Sequence, residues 1–146
     1  MPHDAAERTA NMLKLIIGVK GTGKTKTLIS MVNEAAEKSQ GTVVCIEKGV
    51  GLRFDVKYSA RLINTNEYLV FDAEALYGFV AGILASNHDV TDLFIDGALK
   101  IANNDMAAFE AFLKAVDELT SKMEVNVVMT SSIPCEDASD IVKKYI

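Results

Sequence analysis

The stretch LKLIIGVKGTGKTKTL, residues 13–28, decides the fold. Leu15 to Ile17 is a β-rich apolar run. Behind it stands a glycine-rich turn, Gly18-Val19-Lys20-Gly21-Thr22-Gly23-Lys24-Thr25, which fits G-x-x-x-x-G-K-[ST] at every fixed position. Glycines at 18, 21 and 23 let the backbone take positive φ and turn successive N–H groups into one concavity. A helix beginning near Lys24 adds its positive end to the same anion site. Strand, turn and helix in this order predict a phosphate-binding loop. Lys24 is expected to reach the outer phosphates and Thr25 to ligate Mg²⁺. The candidate nucleotide contacts are Gly18, Val19, Lys20, Gly21, Thr22, Gly23, Lys24, Thr25 and Lys26.

From that turn outward, strands and helices alternate. Leu28, Met31, Val32 and Ala35 mark the inner face of a helix over 24–38, opposite Glu34, Glu37 and Lys38. Gly41 ends it, and Thr42 to Ile46 is a buried strand closing on Glu47. Residues 48–60 mix charges with glycines and predict a loop near the site, with a short edge strand at Leu52 to Val56. Arg61 to Asn64 is a short strand. Asp72 is the expected N-cap of a helix to about Asn87, with Ala75, Leu76, Phe79, Val80 and Ile83 inward. Val90 to Ile95 is a strand delivering Asp96. Asn104 or Asp105 caps a helix to about Lys122, with Phe109, Phe112, Leu113, Val116 and Leu119 inward. Val125 to Met129 is the last strand, and a short helix over 137–144 closes the chain. Nearly continuous apolar strands separated by helices predict an α/β protein, a parallel sheet with helices on both faces.

A parallel sheet gathers its strand ends at one rim, where ligands bind. Asp96 would therefore lie beside the phosphate loop and hold Mg²⁺ with Thr25. Gly97 follows it, where a water-activating Glu often stands, so a hydrolytic base must come from elsewhere. Glu47, at the end of its own strand, is the candidate; its alternative is a solvated strand-end carboxylate. Thr130 and Ser131 reach the same rim, as sensors of the phosphate or as strand caps.

Composition narrows the function classes. The 146 residues make one domain, 12–146, after a polar arm over 1–11 expected to be disordered. The longest apolar run, Leu76 to Ala85, is too short for a membrane span. Cys45 and Cys135, ninety positions apart, read as free, buried thiols in the cytoplasm. Net charge is −5 and the lysines are scattered, so nucleic acid is not an expected partner. The arginines are Arg8, Arg53 and Arg61; with none after Asp96, the arginine-rich lid of a nucleotide kinase is missing. No [NT]-K-x-D stretch follows the last strand, which leaves ATP rather than GTP by elimination.

On these residues the chain resembles the RecA-type P-loop ATPases. Gly18 to Thr25 matches their phosphate loop, Glu47 stands where that branch carries its catalytic Glu, and Leu93 to Leu99 matches the metal-binding strand. The resemblance spans roughly residues 13–132 in truncated form, because 48–60 barely leaves room for the helix found there in those proteins. It is closer still to short P-loop proteins of Gram-positive anaerobes often labelled twitching-motility ATPases. The motility motors themselves are much longer and carry His- and Asp-containing boxes absent here. The resemblance implies a slow Mg-dependent ATPase or ATP-driven switch, with Arg53 as an arginine finger if the chain forms a homo-oligomer. A surface Arg paired with a nearby carboxylate is the alternative for Arg53. The alternative function is a non-catalytic nucleotide-binding module that presents a surface to a protein partner.

Overall fold

A strand buried on both faces cannot alternate polar and apolar residues, and the runs Val43–Ile46, Leu93–Ile95 and Val127–Met129 do not. A computed structural model describes residues 12–146; the expected N-terminal arm lies outside them. The order is β1 (Leu13–Ile17), α1 (Lys24–Lys38), β2 (Thr42–Glu47), β3 (Arg61–Asn64), a 3₁₀ turn (Thr65–Tyr68) and α2 (Ala73–Ser86). It continues with β4 (Val90–Ile95), α3 (Ala98–Ile101), α4 (Met106–Met123), β5 (Asn126–Ser131), a second 3₁₀ turn (Cys135–Asp137) and α5 (Asp140–Lys143). The five strands form one sheet in the order β1-β5-β4-β2-β3, and every pair is parallel.

Alternate residues of each strand supply opposite faces. Val43, Cys45, Phe94 and Val128 turn to one side and pack with Leu28 and Val32 of α1 and with Leu52 and Ala60 of the loop 48–60. Val44, Ile46, Leu93, Ile95, Val127 and Met129 turn to the other, under α2 and α4. There Leu76, Val80, Phe109, Leu113 and Val116 have no exposed surface. Burying each such side chain is worth about 1.5–3 kcal/mol, far more than the propensity of any one residue. Asp72 caps α2 by accepting the Ala75 N–H at 2.7 Å, and Asp105, not Asn104, caps α4 by accepting that of Ala108 at 3.1 Å.

Three local expectations fail, and one element appears that the sequence did not announce. No strand forms at Leu52 to Val56, because the loop spends its own donors: Asp55 and Val56 both donate N–H to the Leu52 carbonyl, at 3.0 and 3.1 Å. The closing helix is shorter than 137–144, since Ser139 takes the N-cap position and accepts the Val142 N–H at 3.2 Å. α3 was not foreseen: Gly97, at φ 70°, breaks the chain between β4 and a single buried turn. Of the two thiols, Cys45 is buried but Cys135 is exposed.

Candidate functional site

β1, β4 and β2 all deliver their carboxyl ends to one rim, and β5 is inserted between β1 and β4. That order places Thr130 between the glycine-rich loop and Asp96. The Thr130 hydroxyl donates to Asp96 Oδ1 at 2.8 Å and accepts the Gly97 N–H at 2.8 Å. Ser131 accepts the Leu99 N–H at 3.2 Å, so both β5 hydroxyls fix the turn after Asp96. From the other side the Asp96 N–H bonds the Ile46 carbonyl at 2.9 Å. The Thr25 hydroxyl, on the first turn of α1, reaches Asp96 Oδ1 at 3.2 Å.

Gly21 and Gly23, at φ 88° and 86°, bend the loop through conformations that other residues rarely adopt. A Cβ at either would meet nothing within 4 Å, so backbone angle rather than crowding demands glycine there. Gly23 precedes α1 without a side-chain cap, and the first turn holds no acidic residue. The opening amides of this helix thus have no side-chain acceptor, which suits an anion. The Thr22 hydroxyl and the Lys24 ammonium both donate to the Val19 carbonyl, at 2.8 and 2.9 Å.

Between the loop and Asp96 lies a cavity of about 550 Å³. Lys20, Gly21, Gly23, Lys24, Thr25, Lys26 and Asp96 line it, whereas Gly18, Val19 and Thr22 do not. Lys100 on α3 and Ser132 also line it, and the sequence did not single them out as ligands. The spacing of Lys100 after Asp96 was the available signal, but only the unforeseen α3 turns it to this side. Four lysines against one carboxylate give the cavity a positive field within an acidic protein. Among the described residues no group of three or more His, Cys, Asp or Glu is placed to hold a metal ion. A cation here would have to share Thr25 and Asp96 with oxygens of a ligand and water.

Glu47 is placed differently. It reaches the same rim but does not line the cavity, and only 5% of it is exposed. Its two oxygens accept the Leu52 N–H at 3.3 and 3.2 Å, anchoring the root of the loop 48–60. Burial raises its pKa above the ordinary carboxylate value and the negative charge of Asp96 adds to the rise, against the opposing bonds from Leu52 and Gly51. Arg53 is exposed on that loop. Its guanidinium lies 4.8 Å from the Phe54 ring centroid, and no carboxylate pairs with it among the described residues.

No protein-family model matches this chain, and no curated protein matches it. No helix of the described residues is long and apolar enough to cross a membrane.

Proposed function

We propose that this chain is a RecA-like P-loop protein that binds Mg-ATP through residues 18–26 and Asp96, and hydrolyses it slowly in the cytoplasm as an ATPase or ATP-driven switch. The supporting observation is the meeting of Thr25 and Asp96, 71 positions apart in sequence, at 3.2 Å beside an uncapped helix N-terminus. A hydroxyl and a carboxylate form an all-oxygen donor pair of the kind Mg²⁺ uses when phosphate and water complete its shell. When bound, the metal would neutralise charge on the phosphates. Lys24 would exchange the Val19 carbonyl for a phosphate oxygen. Thr130, donating to Asp96, keeps that carboxylate aimed at the cavity. Glu47, buried and holding the Leu52 N–H, would reach a water in the cavity only if the root of the loop 48–60 shifts, so hydrolysis through it would be slow.

A nucleotide kinase is disfavoured because neither Arg53 nor Arg61 lines the cavity. The same engagement of Glu47 favours one alternative, a non-catalytic module in which nucleotide orders the loop 48–60 for a protein partner. Equilibrium binding of Mg-ATP and single-turnover hydrolysis, on wild type, Lys24→Ala and Glu47→Gln, test the proposal. Lys24→Ala should weaken binding at least about tenfold, the loss of one charge-assisted contact. Unchanged affinity in that variant would overturn the nucleotide site. Glu47→Gln should keep binding and lose turnover, whereas a chain with no turnover to lose is the binding module. Turnover that rises with protein concentration would mark a homo-oligomer.

A further inference from the structure

The two arginines among the described residues, Arg53 and Arg61, line one cavity of about 490 Å³ together with Lys57 and Tyr58. No carboxylate lines it. The cavity lies away from the phosphate loop, between the loop 48–60 and the start of β3, the outermost strand of the sheet. Residues 48–61 carry Lys48, Arg53, Lys57 and Arg61 against Asp55 alone, in a chain whose net charge is −5. Lys57 pairs with Glu37 of α1, yet both side chains stay 44% and 62% exposed. Among the described residues Arg61 has no ion pair.

The same loop leaves two aromatic rings in water: Phe54 is 85% exposed and Tyr58 fully so. Burial would have stabilised the fold more than exposure does, so folding does not account for the placement of Phe54. Arg53 and Arg61, two cations without a carboxylate partner among the described residues, stand beside Lys57 and the exposed rings of Phe54, one face of which lies near Arg53, and Tyr58. This set matches a ligand alternating phosphates with flat apolar faces. Bases in a duplex are already stacked, and no helix or strand pair projects here to enter a groove, so the matching polymer is single-stranded. A second copy fits poorly, because two-fold pairing of this surface would set its cations against themselves.

We propose that Arg53, Phe54, Lys57, Tyr58 and Arg61 form a binding surface for single-stranded nucleic acid, the cations taking phosphates and the rings taking bases. The site is separate from the phosphate loop and stands whether or not ATP binds there. It runs against the expectation from scattered lysines, since the fold gathers arginines and aromatics that are up to eight positions apart onto one loop and strand edge.

The test is fluorescence anisotropy of a labelled fifteen-nucleotide oligothymidylate, and of a duplex of equal length, with the full chain and no ATP. The single strand should bind at 50 mM salt and weaken steeply toward 200 mM, the signature of phosphate contacts. Phe54→Ala and Tyr58→Ala should each weaken it about 5- to 100-fold, the range for loss of one stacked base. Arg61→Ala should flatten the salt dependence by about 0.7 in log–log slope. Urea midpoints equal to wild type would show that these exposed substitutions leave the fold intact. No single-strand binding at 50 mM salt, equal affinity for the duplex, or ring variants that bind like wild type would each overturn the proposal.

Discussion

Replacing Thr130 by Val tests how the rim is held together. The Thr130 side chain is 2% exposed and its hydroxyl makes two bonds of 2.8 Å, one to the Asp96 carboxylate and one from the Gly97 N–H. Valine keeps the shape and removes both. A bond to a charged acceptor contributes about 1.5–3 kcal/mol and one between neutral groups about 0.5–1.5 kcal/mol. Asp96 is partly open, so water can replace some of the first bond, and the loss should come to about 2 kcal/mol. With an m value of about 2 kcal/mol/M, the urea midpoint without nucleotide should fall by about 1 M at unchanged m. Thr130→Ser keeps the hydroxyl and should lose less than half as much. A Thr130→Val midpoint within about 0.2 M of wild type, or a serine variant as weak as the valine, would refute the assignment of those two bonds.

Three further outcomes follow from particular contacts. Because burial raises the Glu47 pKa, the native state holds that proton more tightly than the unfolded chain. Wild-type stability is therefore fullest below the unfolded value of about 4.5 and declines as pH rises through the folded pKa. Glu47→Gln should gain on wild type in urea midpoint as pH rises above about 4.5, and a gap independent of pH would contradict the burial argument. At Gly41 a Cβ would strike the Asp89 backbone carbonyl oxygen. Gly41→Ala should cost about 2–3 kcal/mol, or about 6–9 °C in Tm; a thermal scan showing less than about 2 °C would mean the turn yields easily. Cys135 should react with a maleimide within minutes at pH 8. Cys45, whose pKa is pushed up to about 12 mainly by burial and further by the charges of Asp96 and Glu47, should react only after unfolding. Mass spectrometry showing two rapid additions on the folded protein would refute that.

The helices over 24–38 and 106–123 and the strands at 42–47 and 90–95 were legible because each carries a strong period or a core of consecutive apolar residues, Val43–Ile46 and Leu93–Ile95 in the strands. Gly41 was read only as the stop of a helix; its closeness to Asp89 comes from a turn 48 positions away and leaves no local mark. α3 was not legible for a similar reason. Four residues carry too little pattern to separate a helical turn from a loop, and burial of Ala98, Leu99 and Ile101 is what holds it. Glu47 belongs to both levels: its place at the rim follows from its strand, but its bond to Leu52 depends on how residues 48–60 fold back.

By itself, then, the sequence determined the parallel α/β architecture, the geometry of the loop at 18–25 and the rim on which Asp96 and Glu47 would stand. These depend on local chemistry: glycines where φ is positive, apolar runs where both faces are covered, and a hydroxyl at a helix start. Strand order was decided only in three dimensions. Placing β5 between β1 and β4 put the Thr130 hydroxyl against Asp96; the turn after β4 set Lys100 on the same cavity, and β3, beside β2, became an edge where Arg61 lines one cavity with Arg53. The three inner strands share one apolar character, so which of them lie side by side is settled by how the helices between them pack and not by the strands themselves.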